Sequence, residues 1–169
     1  QTDFGVYFDA PVSGGAREDL LGALRPLVAD KSEVEAVNLL LRFVQTAFEY
    51  QTDQQQFGRE KPMFAEEVLY YPASDCEDRS VLFAYLVRNL VGLEVVGLHY
   101  PNHLATAVRF SSQVPGTAVR HRGDRYVVAD PTYINANAGQ AMPRFEGTNP
   151  EVVPLAPARR ASAGHRPQS

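Results

Sequence analysis

One cysteine occurs in 169 residues, Cys76, set in Ser74-Asp75-Cys76-Glu77-Asp78-Arg79-Ser80. A thiol attacks a carbonyl carbon as its thiolate, so what matters is whether the surroundings favour the anion. An isolated cysteine commonly serves as a small buried apolar residue. The position of Cys76 at the first turn of an expected helix adds another reading. The unpaired N–H groups and the dipole of that helix end stabilise negative charge, and the same N–H groups could donate to an oxyanion formed on a substrate carbonyl. Glu77 and Asp78 act against the thiolate, so a nearby imidazolium has to supply the rest.

Four histidines could provide it: His99, His103, His121 and His165. His165 lies in the terminal stretch and His121 in the charged loop Arg120-His121-Arg122, and both are expected to be solvated. His99 and His103 flank the turn Tyr100-Pro101-Asn102. His103 opens a strand whose next residues on the same side are Ala105 and Ala107, small enough to admit a packed helix. His99 is the rival base, or else a surface residue. The third member needed is an acid or amide that fixes the imidazole tautomer. Asp130 closes the strand Tyr126-Val127-Val128-Ala129, where a carboxylate is costly to bury unless paired. Asp-Pro-Thr is also a good turn opener, and taken alone that is the simpler reading of Asp130.

The elements that must position these residues follow from periodicity. Residues 1–16 read as an irregular arm. A short helix is expected over Glu18 to Val28, with Pro26 weakening its second half. Ser32 and Glu35 form a capping box. Val37, Leu40, Leu41, Val44 and Phe48 then recur at helical spacing, so an amphipathic helix is expected through about Tyr50. Residues 51–73, interrupted by Gly58, Pro62 and Pro72, read as a long loop with one turn of helix at Ala65–Leu69. A further helix runs from Cys76 to Val91, capped by Ser74 or Asp75 and stopped by Gly92. Its apolar residues cover most of the circumference, so it should be buried on several sides. Strands are expected at Leu93–Tyr100, His103–Phe110 and Arg125–Asp130. Helices first and strands after indicate an α+β fold with an antiparallel sheet packed on the Cys76 helix. The domain is expected over 17–149, with 150–169 an extended, Pro-rich and poorly packed tail.

A cysteine at a helix start, a histidine at the start of a later strand and an aspartate at the end of the next resemble the transglutaminase-like superfamily. The residues that carry the resemblance are Ser74 to Ser80, His103-Leu104-Ala105-Thr106-Ala107-Val108 and Gly123 to Tyr133, within a similarity from roughly Ser32 to Tyr133. Cys-Glu-Asp and Asp-Pro-Thr are its most telling parts. The resemblance implies a papain-like fold, with Cys76 as nucleophile, His103 as base and Asp130 as orienter, and a triad that needs no cofactor and no metal. Ser74 stands where many members have Gly, Ala105 where many have an aromatic residue, and the chain has no Trp. The second oxyanion donor is thus open, with Tyr71, Gln45 and Gln51 as candidates. No ligand cluster for calcium, which regulates some members, is evident.

The function expected is thiol-dependent acyl transfer or hydrolysis of an amide bond through a thioester. Hydrolysis of a protein or peptide substrate is favoured over crosslinking, since water needs no second substrate site. The alternative is a catalytically inactive binding or assembly module of a longer chain. A net charge of −4 and the absence of a basic stretch argue against a nucleic-acid surface. No apolar run approaches the roughly 18–20 residues that span a bilayer. The start, Gln1-Thr2-Asp3, reads as that of a mature or excised fragment. The resemblance suggests a bacterial protein, periplasmic or secreted.

Overall fold

The computed structural model describes residues 14–47, 49–50, 73–74 and 76–153. Helix α1 spans Gly14–Val28 and α2 spans Glu33–Ala47. The capping box that starts α2 is closed in both directions. The Ser32 N–H donates to Glu35 Oε1 and the Glu35 N–H to Ser32 Oγ, each at 3.2 Å. Val37, Leu40, Leu41 and Val44 are all fully buried, each contributing on the order of 1.5–3 kcal/mol of transfer free energy. Phe48 and the expected helical turn at 65–69 lie outside the described residues.

Two corrections concern the helices. Helix α1 begins at Gly14, so residues 14–16 belong to the helix and not to the irregular arm, while Pro26, exposed in the last turn, is carried within it to Val28 as expected. Helix α2 stops short of Tyr50: β1 (Glu49–Tyr50) pairs in parallel with β2 (Ala73–Ser74). That pairing brings the chain back beside the end of α2 just before α3, which spans Cys76–Leu90. Gly92, at φ +79°, stops α3 in the left-handed conformation, and its N–H caps the Val87 carbonyl at 2.9 Å.

The sheet is antiparallel throughout, in the order β5-β6-β4-β3-β7. Its strands are β3 (Glu94–Tyr100), β4 (His103–Arg109), β5 (Ala118–His121), β6 (Asp124–Ala129) and β7 (Glu151–Val153). With Tyr100 opposite His103, the β3–β4 turn is Pro101-Asn102, and Asn102 takes φ 59°. Proline followed by a positive-φ Asn is what a type II turn requires, so this dipeptide sets the register at His103. Arg122-Gly123, both at positive φ, make the β5–β6 hairpin turn. β5 and β7 are additions to the expected strands. The sheet thus continues past residue 149, and Glu151–Val153, expected in the loose tail, pair with β3 as an edge strand.

Alternation along the strands builds two cores. Val95, Leu104, Val108 and Ala129 face the helices, while Val96, Leu98, Tyr100, Ala105, Ala107, Tyr126 and Val128 face Ala141 and Phe145 on the other side. Ala105 and Ala107 therefore do not admit the Cys76 helix, as the sequence pattern had implied. The larger Leu104 and Val108 provide the surface on which α3 packs. The chain is thus α+β, a central helix bearing the cysteine on an antiparallel sheet. No helix among the described residues is long and apolar enough to cross a membrane.

The segment after β6 is locked to the sheet by backbone contacts. Thr117 donates to the Gly139 carbonyl, Gly139 to that of Val128, and Val128 to that of Thr117, at 2.9, 2.7 and 2.9 Å. The approach leaves no room for a side chain: at Gly139, with φ +97°, a Cβ would lie 2.5 Å from the Pro115 carbonyl oxygen. Gly139→Ala is therefore expected to cost about 1–3 kcal/mol from backbone conformation alone, with the clash adding to it. The urea unfolding midpoint measures this, and an unchanged midpoint would contradict the close approach.

Candidate active site

The sulfur, the imidazole and the acid arrive on three different elements. Cys76 is the first residue of α3 and is half-buried. β6 pairs with β4 only as far as Thr106, so the Leu104 peptide groups on that side are met by α3 side chains. The Leu104 N–H donates to Cys76 Sγ at 3.4 Å, and Ser80 Oγ, one helical turn on, donates to the Leu104 carbonyl at 3.2 Å. Since the Leu104 nitrogen is bonded to the His103 carbonyl carbon, covalent geometry keeps Sγ within about 6 Å of the His103 α-carbon.

His103 and Asp130 are both buried, and His103 Nε2 lies 2.7 Å from Asp130 Oδ2. The other carboxylate oxygen, Oδ1, accepts from the Thr132 N–H at 3.0 Å and from Thr132 Oγ1 at 2.9 Å. Asp130 is thus at once the turn opener and the histidine's partner; the two sequence readings coexist on different oxygens. With Nε2–H donating to the acid, the Nδ1 lone pair is the basic position left on the ring.

An aromatic layer covers the pair. Phe145, on the 3-10 turn Pro143–Phe145, stacks on the His103 ring at 5.0 Å and 10°, and on Tyr100 at 4.4 Å. Burial, helped by the negative charge of Asp130, raises the Tyr100 pKa, so its phenol stays neutral beside the carboxylate.

The other candidates fall elsewhere. His99 is partly exposed, with Nδ1 3.5 Å from Glu151 Oε1 of β7. His121 is not simply solvated: it is half-buried, its ring edge-on to Tyr126 at 6.0 Å. Gln45 is buried, and its amide binds backbone groups of residues 130–136, which corrects its candidacy as an oxyanion donor. Tyr71, Gln51 and His165 lie outside the described residues.

Two contributors were not foreseen. Phe145 has no periodic pattern around it to mark it. Arg79 could have been found: a charged residue one turn into a helix that is apolar nearly all round must be buried, and it is fully so.

No protein-family model matches the chain, and no curated protein matches it. Among solved structures it is similar to a candidate cysteine protease from Cytophaga hutchinsonii, at 16% identity and a TM-score of 0.48. The match covers 90% of this chain and 51% of that one, so the chain spans about half the length of that protein. At this level the likeness carries no functional argument, and the α+β assignment rests on the elements described above.

Proposed function

We propose that the chain is a thiol-dependent enzyme of transglutaminase-like type, hydrolysing an amide bond of a protein or peptide through Cys76, His103 and Asp130. The observation that carries this reading is the contiguity of the site. The 2.7 Å imidazole–carboxylate contact belongs to the residue immediately before the one whose N–H meets the sulfur. In the mechanism, His103 Nδ1 takes the Cys76 proton, and the Leu104 N–H and the imidazolium together stabilise the thiolate. The sulfur adds to the amide carbonyl, and the resulting oxyanion is held by donors at the start of α3. Collapse breaks the C–N bond, the departing amine takes the proton from Nδ1, and a thioester remains. Water, deprotonated by the same nitrogen, adds to the thioester and releases the acid and the thiolate. A primary amine in place of water would give crosslinking.

The test is alkylation by iodoacetamide at pH 6–7, alongside a peptide-amide screen with and without an added amine. Cys76 is expected to react at least about tenfold faster than a free thiol at pH 6, consistent with a thiol pKa lowered by one unit or more. His103→Ala should abolish the difference, and Cys76→Ala the turnover. Labelling no faster than a free thiol would instead assign the chain to the inactive module class.

A further inference from the structure

The triad leaves unexplained how a sulfur carried by the helices is held in register with an imidazole and an acid carried by the sheet. Gln45 occupies the point where the two meet. It is 2% exposed, and it lies in the last turn of α2. Its Nε2 donates to the Asp130 carbonyl at 3.3 Å and the Ala136 carbonyl at 3.0 Å, while Oε1 accepts from the Asn135 N–H at 3.0 Å. Its own backbone carbonyl is held from the other direction, since Arg79 Nη1 in the first turn of α3 donates to it at 2.8 Å and to that of Val44 at 3.0 Å.

These contacts close a circuit. It runs from Cys76 along the first turn of α3 to Arg79, to the Gln45 main chain, and through the Gln45 amide to the Asp130 carbonyl. From there it passes along Asp130 to His103, and from Leu104 N–H back to Cys76 Sγ. Two further α2 side chains on the same face bind the same loop further along. Arg42 donates to Asn135 Oδ1 and Asn137 Oδ1 at 3.2 and 3.1 Å, and Asn38 Oδ1 accepts from the Ala138 N–H at 2.8 Å. Of these three residues, only Gln45 binds Asp130, and it does so at the main-chain carbonyl.

We infer that Gln45 is a positioning residue for the catalytic triad, its amide fixing the sheet-borne His103–Asp130 pair against the helix-borne sulfur. The inference rests on the function proposed above. His103 and Asp130 are joined through β4 and β6 whatever happens at residue 45, so loss of the amide should spare their contact and loosen its spacing from Cys76. That loosening would raise the pH at which the thiolate forms. Among the described residues, the ionisable groups around the sulfur are Glu77, Asp78 and Arg79 of its own helix, His103 of β4, and Asp130 and Tyr100 behind the imidazole. A substitution at 45 replaces none of these ionisable side chains, so a shifted profile reports their spacing from the sulfur.

The experiment is the pH profile of Cys76 alkylation in Gln45→Met, which keeps the volume and removes the amide, with Arg42→Ala as the comparison. Gln45→Met is expected to move the lower inflection up by about one pH unit and to slow labelling at pH 6 about tenfold. Arg42→Ala should lower the melting temperature and leave the inflection in place. Gln45→Asn, an amide one methylene too short to reach both carbonyls, carries the same expectation and serves if the Met variant does not fold. An unshifted inflection in a folded variant overturns the inference, as does an equal shift in Arg42→Ala, which would make the effect one of general loop anchoring. Failure of the underlying function looks different: the parent protein itself would then show no low inflection and no dependence on His103.

Discussion

Asp130→Asn is expected to lower kcat/KM for amide hydrolysis by about 10³–10⁴-fold with the fold intact. The substitution is isosteric, and both Thr132 donors that meet Oδ1 persist. Those two donors decide the outcome. They claim the amide oxygen of the new side chain, which turns its NH₂ toward His103 Nε2. A donor facing Nε2 makes that nitrogen the acceptor and moves the ring proton to Nδ1, the atom that takes the proton of Cys76 in the proposed mechanism. The variant thus holds the wrong tautomer in the right geometry. It also removes the anion that stabilises the imidazolium, so the alkylation inflection should rise toward the free-thiol value of about 8.5. Circular dichroism checks the fold, and steady-state rates with the alkylation profile check the chemistry. Activity within tenfold of the parent would show that Asp130 is a turn residue only.

The sequence made the chemistry-bearing ends of elements readable because these are marked locally. Ser32 and Glu35 announce the start of α2, Gly92 the end of α3, and Pro101-Asn102 the turn that delivers His103. The cysteine, the histidine and the aspartate each sit where one element stops and another begins, and such junctions leave signatures in adjacent residues. What was hidden depends on contacts between distant segments. β5 and β7 are short and owe their strand conformation to β6 and β3 rather than to their own pattern. Phe145 matters only because the chain after β6 folds back under His103. The face of β4 that receives α3 was misread because Ala105 and Ala107 are compatible with either a helix or an aromatic layer. Only the bulk of Leu104 and Val108 on the opposite side decides between them. Gln45 was half legible. It falls at helical spacing from Leu41, inside the apolar stripe of α2, and a polar residue there must find partners. Which partners, the stripe cannot say.

Arg79→Met is expected to destabilise the protein by about 2–6 kcal/mol, from two buried carbonyls left unpaired at about 1–3 kcal/mol each. The last carbonyls of α2 have no partner within their own helix, and they carry the negative end of its dipole. A fully buried guanidinium donating to two of them satisfies both deficits at once. Methionine restores much of the volume, so the loss measured is mainly that of the hydrogen bonds. Arg79→Lys separates charge from geometry. A single ammonium keeps the favourable interaction with the helix end but lacks the planar fork, so it should fall between Met and the parent. Urea denaturation read as ΔG differences at constant m measures all three proteins. Because Arg79 grips the main chain of the residue that holds Asp130, the Lys variant should also label Cys76 more slowly at pH 6 even where it remains folded. A Met variant within 1 kcal/mol of the parent, about the net worth of one ordinary hydrogen bond, would mean that water or a rearranged α2 terminus satisfies those carbonyls. The helix layer would then be tied to the site by apolar packing alone.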